Sequence, residues 1–316
     1  MAHCSGLGTL LILPFSLGSL IVLALSASTS AEVSVTTPPR WIGARVADAR
    51  IQLTIADRGQ TPRTVFEESD QHRREPLTIT DLAFDVRREV VYLATCCEPG
   101  SGQVRRADLR APPRALTFAD QGFAVDVAGA TSVIARTDTF GTLAMRASPN
   151  GRQEVHAGTG ASDVAVASGP RTRVVALIQP GRLRAVVPTV APRAPAILVL
   201  QSSNGGRWTE SRYPLSPDTT YCRIVPLTDG NIGLLAGEVD RDDPINCAGD
   251  RLDVYDTETR ELRIGVVTFP GEVRHLSTDE SSTFLIATTV GGAVRWQTLA
   301  GAAGVLAPRG FLAADW

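Results

Sequence analysis

The residues with the clearest capacity for chemistry are acids. Asp81 and Asp163 open two segments of like pattern, Asp81-Leu82-Ala83-Phe84-Asp85-Val86 and Asp163-Val164-Ala165-Val166-Ala167-Ser168, and Gly122-Phe123-Ala124-Val125-Asp126-Val127 lies midway between them. Equal positions in equal modules would bring Asp81 and Asp163 to one rim, with Gly122 between them. Carboxylates converging on a rim can hold a divalent metal or a cationic ligand, which is the chemistry of a metal-assisted hydrolase. The competing expectation is that such acids accept backbone N–H groups at turns and hold modules together; that reading is favoured. A second acidic group, Asp240-Arg241-Asp242-Asp243-Pro244-Ile245-Asn246, makes Asp240, Asp242 and Asp243 the candidate ligands for a hard metal such as calcium. It lacks the glycine and distal glutamate of a calcium-binding hand, so a solvated loop is favoured there too.

Other chemistries have less support. The four histidines are His3, His72, His156 and His275, and the last two sit at module ends, where a satisfied strand-end or surface histidine is expected. No G-x-S-x-G, H-E-x-x-H or phosphate-binding glycine loop occurs. All 31 basic residues are arginine, which removes lysine Schiff-base chemistry. A net charge of −2 provides no basic field for nucleic acid or acidic lipid. No cofactor is expected, calcium being the one ion the acids would take, and the partner is a protein or a small molecule.

Five cysteines divide into Cys4 near the N-terminus and Cys96, Cys97, Cys222 and Cys247 further on. Cys222 and Cys247 flank a loop that a bridge would clamp, so this pairing is expected, and an even number suits an oxidising compartment. Adjacent Cys96 and Cys97 leave a vicinal bridge, separate partners or a free thiol open, since neighbouring strand residues point to opposite faces. Residues 1–31 read as a secretory signal, with an apolar run from Leu10 to Leu25 followed by small residues up to Ala31. The alternative is an uncleaved anchor formed by residues 10–25, which would be the chain's contact with a membrane. Residues 32–42, with Pro38-Pro39, read as a linker, and residues 43–316 as one domain.

The elements that must position these residues are strands. The three like segments start 41 residues apart, and glycines at Gly102, Gly141 and Gly181 keep a similar interval before strand-like runs, as do Gly249 and Gly292. Such a period marks a modular array. Within a module, Ile79–Val86, Glu89–Thr95, Gln103–Leu109 and Ala115–Phe118 are short apolar runs separated by turn residues. Four strands per period of about 40 residues is the arithmetic of a propeller blade. Complete modules run over 79–121, 122–160, 161–202, 221–268 and 272–300. The strands at 50–57 and 63–67 have no partners of their own and should pair with the chain's end, giving five or six four-stranded blades. A β-sandwich is the alternative, but it needs no fixed period. Two polar stretches, Ser202–Thr220 and Glu238–Ala248, read as insertions, and Trp208 and Tyr213 in the first are aromatic anchors suited to binding a partner.

Asp81-Leu82-Ala83-Phe84-Asp85 followed by Val90-Val91-Tyr92-Leu93-Ala94-Thr95 resembles the blade opening of bacterial extracytoplasmic propellers of the TolB-like and NHL-like kind. The stretch Leu276–Thr289 is similar. The resemblance implies a ring with a central channel and loops on two faces, and it implies no reaction, because these motifs are shared by proteins of unrelated activity. The expected function is an exported, non-catalytic binding or protein-interaction module, with a metal-assisted hydrolase or lactonase using acids at the channel mouth as the alternative.

Overall fold

The computed structural model describes residues 37–316 except 49, 70–77, 99–100, 111–115, 122–123, 129–130, 138–142, 149–152, 158–163, 170–171, 179–195, 202–208, 216–218, 228–230, 240–246 and 280. Among the described residues every regular element is a strand. The chain opens with β1 (Trp41–Ala47), β2 (Arg50–Ala56) and β3 (Arg63–Ser69). A first blade follows, of β4 (Thr78–Asp85), β5 (Val90–Glu98), β6 (Ser101–Asp108) and β7 (Thr117–Gln121), antiparallel and in chain order. A second has the same form, with β8 (Ala124–Ala128), β9 (Thr131–Thr137), β10 (Leu143–Ser148) and β11 (Gln153–Ala157). The third contains β12 (Val164–Gly169), β13 (Thr172–Ile178), β14 (Ala196–Gln201) and β15 (Thr209–Pro214).

The remaining strands are β16 (Thr220–Pro226), β17 (Asn231–Val239), β18 (Cys247–Asp256), β19 (Leu262–Thr278), β20 (Phe284–Thr289), β21 (Val294–Thr298), β22 (Ala303–Ala307) and β23 (Ala313–Asp315). The seven from β16 to β22 form one continuous sheet because β19 belongs to two blades. Its first half pairs with β18, from Tyr255↔Leu262 to Arg251↔Thr268, and its second half pairs with β20, from Val273↔Thr289 to Thr278↔Leu285. Between the halves lie Pro270, which has no N–H to give a ladder, and Gly271 at φ +145°, a conformation closed to other residues. The chain turns there from the outer edge of the fourth blade to the centre of the fifth.

The last blade is assembled from both chain ends. β23 pairs with β1 through Ile42↔Asp315, Gly43↔Ala314 and Ala44↔Ala313, giving the order β23-β1-β2-β3. The innermost strands β4, β8, β13, β16, β19 and β23 each contact the next around a closed circuit. The chain is therefore a six-bladed β-propeller closed by its termini, as the period and the partnerless N-terminal strands lead one to expect, and a sandwich is excluded. Closure gives β1 a partner on its inner side in place of an open edge.

The apolar core lies between blades. Ile42, Leu53 and Phe66 of the closing blade pack with Leu82, Phe84 and Leu93 of the first. Ala83 and Ala94 meet Val125 of the second. Val225 and Leu252 meet Leu276 and Leu285 at the fourth-to-fifth junction, and Trp41, Phe284, Val294 and Trp316 fill the fifth-to-closing one. Gly249, one of the module-marking glycines, is required by crowding, since a Cβ there would lie 2.1 Å from the Ala236 carbonyl oxygen. The expected Cys222–Cys247 disulfide is present, tying β16 to the start of β18.

Two readings of the sequence are corrected. Ser202–Thr220 is not one inserted loop, because residues 209–214 form β15, the outer strand of the third blade, with Tyr213 opposite Ile197. Likewise Glu238 and Val239 end β17 and Cys247-Ala248 begin β18, which confines the second insertion to 240–246. The third blade also departs from chain order. Its sequence of strands is β13-β12-β14-β15, with β12 and β14 parallel, and the stretch between β13 and β14 is long enough for the crossover of a dozen or more residues that a parallel pair needs. Thus β13, not β12, takes the inner position.

Deletion of residues 311–316 removes β23 and opens the ring; the expected outcome is loss of a cooperative melting transition in circular dichroism, and an unchanged melt would contradict the closure. The disulfide closes a loop of sequence separation 25. Its reduction should lower stability by about 3 kcal/mol, measured as the difference between urea unfolding curves with and without reductant.

Candidate functional site

Asp81 lies on the innermost strand of the first blade and is buried. An acid there is expected to face water in a wide channel, but this ring is narrow enough for side chains to meet across it. His275 Nε2 lies 2.8 Å from Asp81 Oδ1, and the Arg223 guanidinium lies 3.5 Å from the same oxygen. Around the ring, β16 stands opposite β4, and β19 is two positions away. The backbone N–H of Val125 on β8 donates to Asp81 Oδ2 at 3.1 Å, and that of Leu82 donates to Oδ1 at 3.0 Å. One carboxylate thus joins the first, second, fourth and fifth blades. Arg223 extends the connection, donating from Nε to the Arg274 carbonyl at 3.0 Å and from its terminal nitrogen to the Thr80 carbonyl.

A second buried acid seals the closing blade. Asp315 of β23 accepts the Phe84 N–H of β4 on Oδ2 at 2.7 Å, and the Ser277 hydroxyl of β19 on Oδ1. Trp316 beside it donates its indole N–H to the Phe284 carbonyl at 3.1 Å. Asp85, at the other end of β4, is also buried, and accepts the Arg88 N–H at 2.9 Å with the Arg88 guanidinium 3.5 Å away. Within the fourth blade, buried Asp253 takes the Tyr221 hydroxyl, the Arg251 guanidinium and the Gly265 N–H. Burial and this carboxylate push the Tyr221 hydroxyl up to about 12.

The two channel acids are driven in opposite directions. Burial raises Asp81, but the Arg223 charge, the His275 contact and the Val125 N–H outweigh it and hold the carboxyl below its ordinary value. Asp315 has no arginine contact of the kind that holds Asp81 ionised, and the pull of the His275 charge is smaller than the cost of burial. Burial dominates and pushes its carboxyl up to about 6, against the opposing pull of Ser277 and Phe84.

Of the residues singled out in the sequence, Asp81 is in the channel, but Asp163 lies outside the described residues. The expected equivalence of the two positions is not reproduced, because β12, which follows Asp163, is second from the centre of its blade while β4 is innermost. Asp240, Asp242, Asp243 and Trp208 also lie outside the described residues, and Tyr213 is on an outer strand. Cys96 and Cys97 fall in β5, with Cys96 opposite Thr78. Among the described residues no group of three potential metal ligands converges. His275 is corrected from a surface or strand-end histidine to a buried channel residue, 2% exposed, whose Nδ1 has no hydrogen-bond partner. Arg223, Asp315 and Ser277 were missed. An arginine inside the apolar run Tyr221–Val225 is the signal that could have found the first of them.

No family model matches the chain, and no curated protein matches its sequence. Solved structures do match, at the level of fold. A Bacteroides uniformis protein provisionally assigned as a 6-phosphogluconolactonase is 9% identical with a TM-score of 0.53, over 87% of this chain and 98% of that one. TolB from Acinetobacter baumannii is 14% identical with a TM-score of 0.47 over 83% of this chain, which spans only 62% of TolB's length. The periplasmic gluconolactonase of Pseudomonas aeruginosa is 13% identical with a TM-score of 0.46, over 87% and 98% of the two chains. TolB is of the kind that the blade motifs resemble, and the likeness to the Bacteroides uniformis protein is one of fold that says nothing about activity.

Asp81→Ala leaves Arg223 and His275 facing an empty acceptor position, and is expected to destabilise the protein by about 3 kcal/mol in urea unfolding. The pH dependence follows from the two shifts. A carboxyl lowered in the fold stabilises above its unfolded pKa, so the contribution of Asp81 disappears as pH falls below about 4. A carboxyl raised in the fold does the reverse. The contribution of Asp315 is complete below about 4 and is lost as pH rises through about 6, on the order of 3 kcal/mol. Asp315→Asn keeps an acceptor for Phe84 and a donor for Ser277. Unfolding measured across pH 4 to about 7 should therefore be flatter in the variant than in the natural protein, and parallel curves would contradict this assignment.

Proposed function

We propose that this chain is an exported, non-catalytic β-propeller that binds a partner through loops at the rim of its ring. The observation that carries the reading is the engagement of the channel's ionisable groups. Asp81, Arg223 and Asp315 each bond to groups on at least two other blades, and His275 meets Asp81 from a different blade, so these groups are committed to holding the ring. A general acid or metal-binding carboxylate needs an open side towards substrate, and the buried Asp81 oxygens already face donors. Recognition is then assigned to residues outside the channel, with Trp208, which directly precedes β15 in the chain, and the acidic segment 240–246, which directly precedes the disulfide-bonded Cys247, as the candidates. An aromatic at such a position supplies apolar area together with a polar atom.

Export is part of the proposal. The Cys222–Cys247 disulfide is the kind of bond that persists outside reducing compartments. Residues 1–31 would carry the chain out of the cytoplasm and a linker would follow; the linker expected over 32–42 must end before Trp41, because Trp41 and Ile42 already belong to β1 and are buried in the ring. No cofactor is needed for this function.

The test is affinity capture with the purified protein as bait in an extract of the compartment into which the chain is exported, beside Trp208→Ala. Retention of a partner that the variant loses, at unchanged melting temperature, is the expected outcome. Stoichiometric divalent metal in the purified protein, together with turnover of a lactone or ester, would contradict the reading and favour the hydrolase.

A further inference from the structure

Tyr221 and Arg223 stand two residues apart on β16, and in a regular strand residues so spaced point to one face. Here they point to opposite faces. Tyr221 packs with Ile224, Leu234 and Ala236, and its hydroxyl meets Asp253 at 3.3 Å. Arg223 is opposite Leu235, which packs in the other cluster of the blade, and its guanidinium reaches the Arg274 carbonyl and Asp81 in the channel. Both contacts exist at once because the pairing of β16 with β17 shifts register between Tyr221 and Arg223, which makes Cys222 the extra residue of a β-bulge. The bulged residue is also the one held covalently. Its partner Cys247 begins β18, on the far side of β17 in the sheet, and strands two places apart ordinarily lie roughly 10 Å from one another. The Cα atoms of Cys222 and Cys247 are 5.2 Å apart. The bond therefore draws the bulged residue towards β18, over the strand between them.

We propose that the Cys222–Cys247 bond is a redox-sensitive device that holds the bulge in β16, so that opening it returns the strand to regular alternation at the expense of the contact between Tyr221 and Asp253. In a regular strand Tyr221 and Arg223 share a face, so one of the two contacts must be lost. Two residues of β16 precede Cys222 and four follow it. Among the four, Ile224 and Val225 are buried in opposite clusters, which fixes that side. The short side gives way, Tyr221 turns from Asp253, and Arg223 keeps its place in the channel. The step is thiol–disulfide exchange with a dithiol: the S–S bond of the protein breaks, one forms in the reagent, and two electrons and two protons pass to the cysteine sulfurs. Asp253 remains satisfied through Arg251 and the Gly265 N–H, so the reduced blade stays folded. The device is independent of the partner-binding reading.

The experiment equilibrates the purified protein with mixtures of reduced and oxidised dithiothreitol, starting from both the bonded and the reduced protein. The bonded fraction of Cys222 and Cys247 is read by mass spectrometry of alkylated peptides. Tyr221→Phe removes the hydroxyl, and with it the contact that the bulge secures, so the equilibrium constant for forming the bond should fall about fivefold. Arg223→Met lies on the side of the bulge that does not move, and Ile55→Val is a buried change in the closing blade; both should match the natural protein. Far-ultraviolet circular dichroism of the reduced protein should keep its strand signal. An unchanged equilibrium in Tyr221→Phe, an equal shift in Arg223→Met or Ile55→Val, or loss of the strand signal on reduction would overturn the proposal.

Discussion

Closure of the ring is the constraint on which the rest of the structure depends. Each blade buries apolar faces against its two neighbours, so a missing contact anywhere would expose the core of two blades at once. The critical junction is made by three residues of β23, inserted between β1 on one side and the inner strands β19 and β4 on the other. Backbone pairing alone would leave so short a strand weakly held. It is secured by Asp315, which ties β23 to β4 and β19, and by Trp316, whose ring packs in the apolar cluster while its N–H reaches Phe284.

The same constraint accounts for the polar groups at the centre. Six inner strands converge where apolar side chains would meet with no directional preference. Asp81 instead imposes defined partners, accepting from Val125 and Leu82 and facing Arg223 and His275. Buried ion pairs contribute little net stability relative to well-packed apolar replacements, but removal of one partner is costly. Their role here is to fix which blades meet and at what height.

Much of this was legible in the sequence. Period and strand composition gave the blades, because alternating apolar residues and turn residues are local signals. The need to bury N-terminal strands gave the closure, and loop clamping gave the Cys222–Cys247 bond. What was not legible depends on contacts between distant residues. β15 hides in a polar segment because Thr209–Pro214 lacks the apolar alternation by which a half-buried strand is recognised. β1 and β23 were passed over because a linker-like Pro-Pro precedes one and the other is only three residues long. His275 resembles any strand-end histidine until Asp81, far away in the chain, is placed against it. The inner position of β13 follows from a parallel crossover that local periodicity does not encode.

The central claim is that the ring stands or falls as one unit through its closing junction. Three of the four tryptophans, Trp41, Trp296 and Trp316, belong to the cluster at that junction, while far-ultraviolet circular dichroism reports strands in every blade. The most direct measurement is equilibrium unfolding of a Trp208→Phe variant followed by both signals. The account predicts that fluorescence and circular dichroism transitions superimpose at every denaturant concentration. A fluorescence transition that is complete while the strand signal persists would contradict it, since the junction would then have opened without the loss of the blades.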